Sequence, residues 1–371
     1  MLKVVLTGGP CAGKSTGLAQ IERILTERGY KVLVVAETAT ELITSGYKIG
    51  DEIDAYNFQT ILFEKQTAKE KLYDEISKKY SSDKIVILYD RGIMDALAFC
   101  PKEIMQRIFR EHNVTESEIM ARYDGVIHMV TAADGAEQYY VYGESAAAKG
   151  NNGVRKETPA EARIADKRCM VAWCGHPHLR VVDNKRGFAQ KIKTVVDEIL
   201  NLLGEPIPTE IERKYLIKRP TEEVLQELQC SNVADIVQVY LNSIDENVER
   251  RIRQRGTKET GYTCYYTEKI AVSTGERIEY ETKIDQKQYI DYMTEADYRR
   301  KPIIKKRYCF VYKNQYFELD VYPFSETKAI LEIELPTIDT KVYLPKFINV
   351  IADVTGDARY SNCNLAQQNE L

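Results

Sequence analysis

The sequence predicts two domains of different class, an α/β domain over residues 1–204 followed by a mainly antiparallel β domain over 209–371. Three observations predict it. Up to about Gly204 short apolar runs alternate with longer helical patterns, as strands covered on both faces by crossover helices would. Beyond that point strand-like runs carry charges at every second position and are separated by turn signals such as "STGE" and "KNQ". Between the two lies "GEPIP", Gly204 to Pro208, which has the composition of a linker. A chain of 371 residues, 44% of them hydrophobic, also exceeds one ordinary core.

The first strand is "VVL", Val4 to Leu6, and it runs into "GGPCAGKST". This fits G-x-x-x-x-G-K-[ST] between a buried strand and a helix. Gly8 and Gly13 let backbone N–H groups turn inward around phosphate oxygens, Lys14 brings charge to the β and γ phosphates, and Ser15 can ligate Mg²⁺. With Thr16 completing the motif, the loop predicts binding of ATP or GTP. Leu18, Ile21, Ile24 and Leu25 give the following helix an apolar stripe, which Gly29 ends.

"VLVVA", Val32 to Ala36, is the second strand, with Glu37 at its mouth in "VAETATELI". Glu37 is either a base for a hydroxyl proton or a cap for the next helix. The third strand, "IVILY", ends in "DRG", placing Asp90 where an acid can hold the metal through water. No glutamate follows Asp90, so the usual water-activating acid of motor ATPases is missing from that place. The fourth strand is "VIHMV". "GVRKETPAEARIADKRC" supplies Arg155 and Arg163, either lid arginines for a transferring phosphoryl group or part of a solvated helix face. "CMVAWCGHPH" gathers Cys169, Cys174, His176 and His178, but the spacing does not match common zinc pairings and packing is the default. In "VVDNKRG", after the fifth strand, Asp183 and Asn184 either sit where a base stacks or cap a helix, and no N-K-x-D motif selects guanine. On its phosphate loop and "DRG", this half resembles the P-loop kinase-like family that includes nicotinamide-riboside and deoxynucleoside kinases. The resemblance implies small-molecule phosphoryl transfer.

The second half opens on "EIERK", which puts Glu210, Glu212 and Lys214 on one strand face and Ile211, Arg213 and Tyr215 on the other. The pattern recurs: Arg251 with Arg253, then Lys269, then Arg277 with Glu279 and Glu281. Lys305 with Arg307, Glu318 with Asp320, and Glu332 with Glu334 continue it. An open sheet has little use for so many one-sided charged strands; a sheet closed on itself, charges inward and apolar faces under helices, does. Both signs of charge inside call for a metal-bound polyphosphate, carboxylates taking Mg²⁺ or Mn²⁺ and cations taking phosphate oxygens.

The "EIERK" (ExExK), "RIR", "RIEYE", "KKR", "ELD" and "LEIEL" strands, with "VTGDARYSN", resemble the CYTH domain, the triphosphate tunnel metalloenzyme family. The resemblance implies an eight-stranded antiparallel tunnel that hydrolyses triphosphates with Mg²⁺ or Mn²⁺. It implies that Glu210, Glu212, Glu332 and Glu334 hold metal or position water, helped by Glu279, Glu281, Glu318 and Asp320. Lys214, Arg251, Arg253, Lys269, Arg277, Lys305 and Arg307 then bind the phosphates. The pairing of the two halves resembles both plant-type kinase–tunnel fusions and animal trafficking factors. Two readings therefore stand: a triphosphatase joined to a nucleotide-binding domain, and a nucleotide-regulated binding protein that captures phosphoinositide or other phospholipid headgroups without turnover. Adenylyl cyclase activity, also known in the family, is a lesser alternative.

A net charge of −4 with 29% charged residues gives no push toward nucleic acid, and the local patch "YRRKPIIKKR" lacks aromatic interleaving. No run approaches a membrane span and "MLKVVLTGGP" is too short for a signal-peptide core, so the expectation is a soluble cytoplasmic protein whose 8 dispersed cysteines are reduced.

Overall fold

The computed structural model describes residues 1–140, 157–205, 211–229, 232–245, 247–273, 276–335, 340–368 and 370–371, without the side chains of 229 and 271–277. Arg155, Glu210, most of the linker and the Arg277 side chain thus lie outside the described residues. The chain divides into two compact units, Met1–Thr115 with Arg122–Leu202, and Glu116–Ala121 with Leu203–Leu371. No helix among the described residues is long and apolar enough to cross a membrane.

In the first unit β1 (Leu2–Thr7), β2 (Lys31–Val35), β3 (Ile85–Asp90), β4 (Gly125–Met129) and β5 (Leu179–Val182) form a parallel sheet in the order β2-β3-β1-β4-β5. These are the five apolar runs of the sequence. Val4, Val5, Leu6, Val86, Ile87 and Leu88 are wholly buried, as strands flanked by neighbours and covered on both faces must be. Helix α1 (Lys14–Glu27) buries Leu18, Ile21 and Leu25 and leaves Ile24 half-buried. It ends where Gly29 turns left-handed and the Tyr30 N–H donates to Leu25 O at 3.1 Å. Next come α2 (Thr38–Thr44) and α3 (Ala55–Ser77), the second capped by the Asp54 carboxylate, which accepts from the Asn57 N–H at 2.7 Å. Because β1 is central, the loop after it opens at the carboxyl ends of the strands, between β3 and β4.

The second unit is a nine-stranded sheet whose neighbours are all antiparallel, in the order β10-β9-β8-β7-β11-β12-β13-β6-β14. Its strands are β6 (Glu212–Lys218), β7 (Val233–Leu241), β8 (Val248–Thr257), β9 (Gly261–Ser273), β10 (Glu276–Ile284), β11 (Ile303–Tyr312), β12 (Gln315–Val321), β13 (Lys328–Glu334) and β14 (Val350–Asp353). The ninth, β14, has four residues and pairs with β6 across a register shift, too short for a two-residue period to announce it. Strands β10 and β14 end the hydrogen-bonded order among the described residues. On the β6–β13 side the apolar face packs into a cluster of Tyr215, Ile217, Phe317, Leu319, Leu331 and Ile333, which the helix Glu222–Gln229 joins through Leu225 and Leu228, and on the β7–β10 side into a second of Val239, Leu241, Ile252, Cys264 and Ile284. On the opposite face Asp320, Lys305 and Arg307 are also buried, so β12 around Leu319–Val321 and β11 from Arg307 to Phe310 are withdrawn from water on both sides, while Ile304 and Lys306 at the start of β11 are exposed.

Candidate functional site

The phosphate loop is built by two glycines. Gly8, at φ 145°, lies so close to Met129 that a Cβ would stand 2.2 Å from its carbonyl oxygen, and Gly13, at φ 85°, caps α1 in the left-handed region. Lys14 is buried and its ammonium donates to Gly8 O at 3.3 Å, across the loop it closes. Burial, then the neighbouring Arg91, push the Lys14 pKa below its ordinary value. Ser15 donates to Asp90 Oδ2 at 3.4 Å, while Asp90 Oδ1 is buried without a hydrogen-bond partner. Burial raises the Asp90 pKa, with Lys14 opposing it.

Glu37 stands at the N-cap position of α2, yet its carboxylate makes no hydrogen bond to the helix backbone. It accepts instead from Arg91 Nε at 2.7 Å and from the Thr40 hydroxyl at 2.7 Å, so the capping reading is not what this side chain does. Burial alone would raise its pKa, but Arg91 and Lys14 outweigh burial and hold it below the usual carboxylate value. Arg91, itself left-handed at φ 68°, also donates to Asp95 Oδ1 at 3.0 Å. Arg163 is exposed and gives one guanidinium N–H to Ala133 O at 2.7 Å. Thr16 is exposed at the helix start. His176 uses both ring nitrogens, with Tyr123 O at 2.9 Å and the His178 N–H at 3.1 Å, and Cys169 and Cys174 are buried, which is packing.

Three residues behind the loop were not singled out from sequence as its supports. Lys191, on the helix Gly187–Leu202, donates to Ala12 O at 3.0 Å, Val130 O at 2.5 Å and Asn184 Oδ1 at 2.8 Å. Asn184 in turn donates to Thr131 O and Asp134 O, so it ties loops together and does not cap a helix. Asp166, on the helix Pro159–Ala172, accepts the Gly9 N–H at 2.6 Å and the Thr131 N–H at 3.0 Å. A lone lysine or aspartate on an amphipathic helix carries no spacing signal; only the fold brings these two to the loop.

In the second unit the two-residue alternation gathers the described charges into cross-strand pairs. Lys214 faces Glu332 across the β6–β13 ladder and pairs with it at 2.9 Å, with Glu212 at 3.3 Å on its own strand. Glu334 stands opposite Glu212. Arg307 is the hub: it meets Asp320 at 2.6 Å and Glu332 at 2.7 Å, and also pairs with Glu318. Lys305 pairs with Asp320. Farther along, Arg251 reaches Glu279 at 3.0 Å, Lys269 reaches Glu279 at 2.8 Å, and Arg253 meets Glu281 at 2.8 Å, where the Thr267 hydroxyl also donates. Burial would raise the Glu332 carboxyl, but Lys214, Arg307 and Lys305 hold it well below its ordinary value. The Nε groups of Arg251 and Arg253 are buried without an acceptor.

A family model for the AAA domain matches residues 3–191, just over half of the chain. The chain belongs to the AAA domain family. No curated protein sequence matches it. Similar solved structures include the inorganic triphosphatase NE1496, 28% identical over 43% of this chain and 95% of that one, with a TM-score of 0.30. Others are the PH1012 protein of Pyrococcus horikoshii, 16% identical over 35% of this chain and 82% of that one at a TM-score of 0.27, and a putative adenylyl cyclase from Hippeastrum, described by a dominant triphosphatase activity, 14% identical over 34% and 80% at 0.24. At TM-scores this low the second unit stands on its own residues.

The AAA domain has the donors for a divalent cation. Ser15 and the orphaned Asp90 Oδ1 are oxygen ligands of the kind Mg²⁺ takes, beside the loop that would hold its phosphates. In the second unit the chemistry of the acids suits the same class of ion, but no three His, Cys, Asp or Glu side chains gather around one point among the described residues. There the acids are spent on arginine and lysine, so the described positions do not form a metal site.

Proposed function

We propose that the chain is a two-domain phosphohydrolase, with an AAA domain over 1–204 that binds ATP or GTP and a triphosphate tunnel over 209–371 that cleaves inorganic triphosphate or nucleoside triphosphates. The observation that carries the second part is a buried sheet face of interleaved acids and bases on which Arg251 and Arg253 keep buried N–H groups without an acceptor. A polyphosphate supplies those acceptors, which a solvated or purely structural face would not require.

In this reading Lys214, Arg251, Arg253, Lys269, Arg277, Lys305 and Arg307 bind phosphate oxygens, exchanging carboxylate partners for the ligand. Water attacks the terminal phosphorus, the bond to the bridging oxygen breaks, diphosphate leaves from inorganic triphosphate or the nucleoside diphosphate from a nucleoside triphosphate, and the water's proton passes to a carboxylate. Glu210, Glu212, Glu332 and Glu334 are the candidates to orient that water, supported by Glu279, Glu281, Glu318 and Asp320. Mg²⁺ or Mn²⁺ is the proposed cofactor; the residues that fit it are Ser15 and Asp90 beside the phosphate loop, and no step of the tunnel hydrolysis is assigned to a metal.

In the AAA domain, Gly8, Gly13, Lys14, Ser15 and Thr16 cradle the nucleotide phosphates and Ser15 with Asp90 would hold Mg²⁺. Glu37, oriented by Arg91, is the proposed base toward an acceptor hydroxyl, with Arg155 and Arg163 closing over the phosphates. The test is phosphate release by the full chain from inorganic triphosphate, ATP and GTP in Mg²⁺ or Mn²⁺. Release from inorganic triphosphate is expected. Tight binding of all three without release would instead return the tunnel to a binding protein.

A further inference from the structure

The charged face runs beyond the residues assigned above, and at its far end two hydrogen-bonding groups are left over. Arg255 follows Arg251 and Arg253 on the same face of β8, and Thr263 lies directly opposite it on β9. Both are buried, at 6% exposure each, and both Arg255 Nη1 and Thr263 Oγ1 lack a hydrogen-bond partner. Among the described residues no carboxylate forms an ion pair with Arg255; Glu318, which acts on it from a distance, is paired with Arg307. Lys214, Arg251, Arg253, Lys269, Lys305 and Arg307 each meet a carboxylate, whereas the contact recorded for the Arg255 guanidinium is to Cys309 Sγ at 3.7 Å. Burial raises the Cys309 pKa, so the thiol stays neutral and does not balance the cation.

A buried guanidinium with no direct ion pair, beside an unused hydroxyl, is a costly arrangement unless an anion completes it. We propose that Arg255 and Thr263 form an additional phosphoryl subsite at the β8–β9 turn end of the face, which takes a phosphate farther along the ligand than those held by Arg251 and Arg253. Two strand residues advance about 7 Å, so the subsite is reached by a chain longer than the one the first two arginines hold. The proposal rests on the tunnel reading and deepens it by setting a preference for chain length. Arg255 supplies charge and a donor to an equatorial oxygen; Thr263 supplies a hydroxyl able to donate to the same group. No bond is made or broken there.

Titration calorimetry of the full chain tests it, in a Lys14→Ala background so that the phosphate loop does not compete. The probes are inorganic triphosphate, inorganic tetraphosphate and adenosine tetraphosphate. Tetraphosphate should bind more tightly than triphosphate, and Arg255→Gln should cut that preference about tenfold, the loss of one charge-assisted hydrogen bond. Thr263→Val should cut it severalfold and Arg255→Lys should retain most of it. If only inorganic tetraphosphate shows the effect, the extra phosphate comes from an inorganic chain; if adenosine tetraphosphate shows it too, a nucleotide supplies it, and either outcome supports the subsite. An unchanged preference in folded Arg255→Gln and Thr263→Val would overturn it, leaving two groups satisfied by water. Should Arg255→Gln not fold, Thr263→Val decides. The tunnel reading has its own control: Arg307→Gln that leaves triphosphate affinity intact sinks that reading, and the subsite with it.

Discussion

Lys191 has the clearest residue-scale consequence. Its ammonium holds Ala12 O from behind the phosphate loop, so Lys191→Met should loosen the loop and weaken ATP or GTP binding about tenfold, as loss of one charged hydrogen bond would. Burial pushes this lysine down to about 8, with Asp166 and Asp183 favouring the charge and Lys14 opposing it. The unfolded chain keeps the proton up to the ordinary lysine value near 10.5, so between about 8 and 10.5 the unfolded state binds more protons. Stability from this group therefore rises with pH across that window, and the cost of the buried charge is present in full below it. Urea denaturation of wild type and Lys191→Met at pH 7 and 9.5 reads this directly: wild type should gain on the variant at the higher pH. A difference between the two that does not move with pH would mean Lys191 is not titrating there. Glu37→Gln should abolish phosphoryl transfer while leaving nucleotide affinity within a few fold, since the carboxylate touches Arg91 and Thr40 and no loop N–H. Nucleotide affinity lost along with transfer would make it a phosphate-loop support.

At the scale of the element, the two-residue period of β6 makes a sharp contrast between neighbours. Lys214 and Glu332 meet on the charged face while Tyr215 enters the apolar cluster, and Arg213, on that second face, is half-exposed beside Asp353. Glu212→Gln should therefore cost about 10²- to 10³-fold in triphosphate hydrolysis, and Arg213→Gln almost nothing. Equal rates in the two folded variants would remove β6 from the site. Asp320, with no exposure between Lys305 and Arg307, predicts a stability effect: Asp320→Ala should destabilise the second unit by about 3–5 kcal/mol, because two buried cations lose their shared partner. A change below about 1 kcal/mol in chemical denaturation would mean water already reaches them. Periodicity made these strand faces readable before any coordinates, since charge at i and i+2 in a β-prone run has few other uses. It did not extend to Asp166, Lys191 or Thr263, and although Arg255 continues the period of Arg251 and Arg253, that period does not mark it as the one without a carboxylate partner. Their roles come from what crosses above them in space: Asp166 meets Gly9 far along the chain, and Thr263 matters because the β8–β9 register sets it opposite Arg255. Strand β14 escaped for a plainer reason, its four residues being shorter than any pattern.

For the whole molecule, the proposed function requires two separable phosphate chemistries, one on the AAA domain loop and one on the charged sheet face. The five parallel strands and the phosphate loop were legible because buried βα units repeat and a glycine loop sits between strand and helix. Inorganic triphosphate discriminates between the sites, because it offers no base for a nucleotide pocket to hold. The most direct measurement is phosphate release from inorganic triphosphate by Lys14→Ala and Arg307→Gln side by side, each checked for folding by circular dichroism. Lys14→Ala should retain most of the wild-type rate while Arg307→Gln, losing the residue that joins Glu318, Asp320 and Glu332, should fall about 10²- to 10³-fold. The reverse pattern, with release lost in Lys14→Ala and kept in Arg307→Gln, would place the hydrolysis on the phosphate loop and contradict the account.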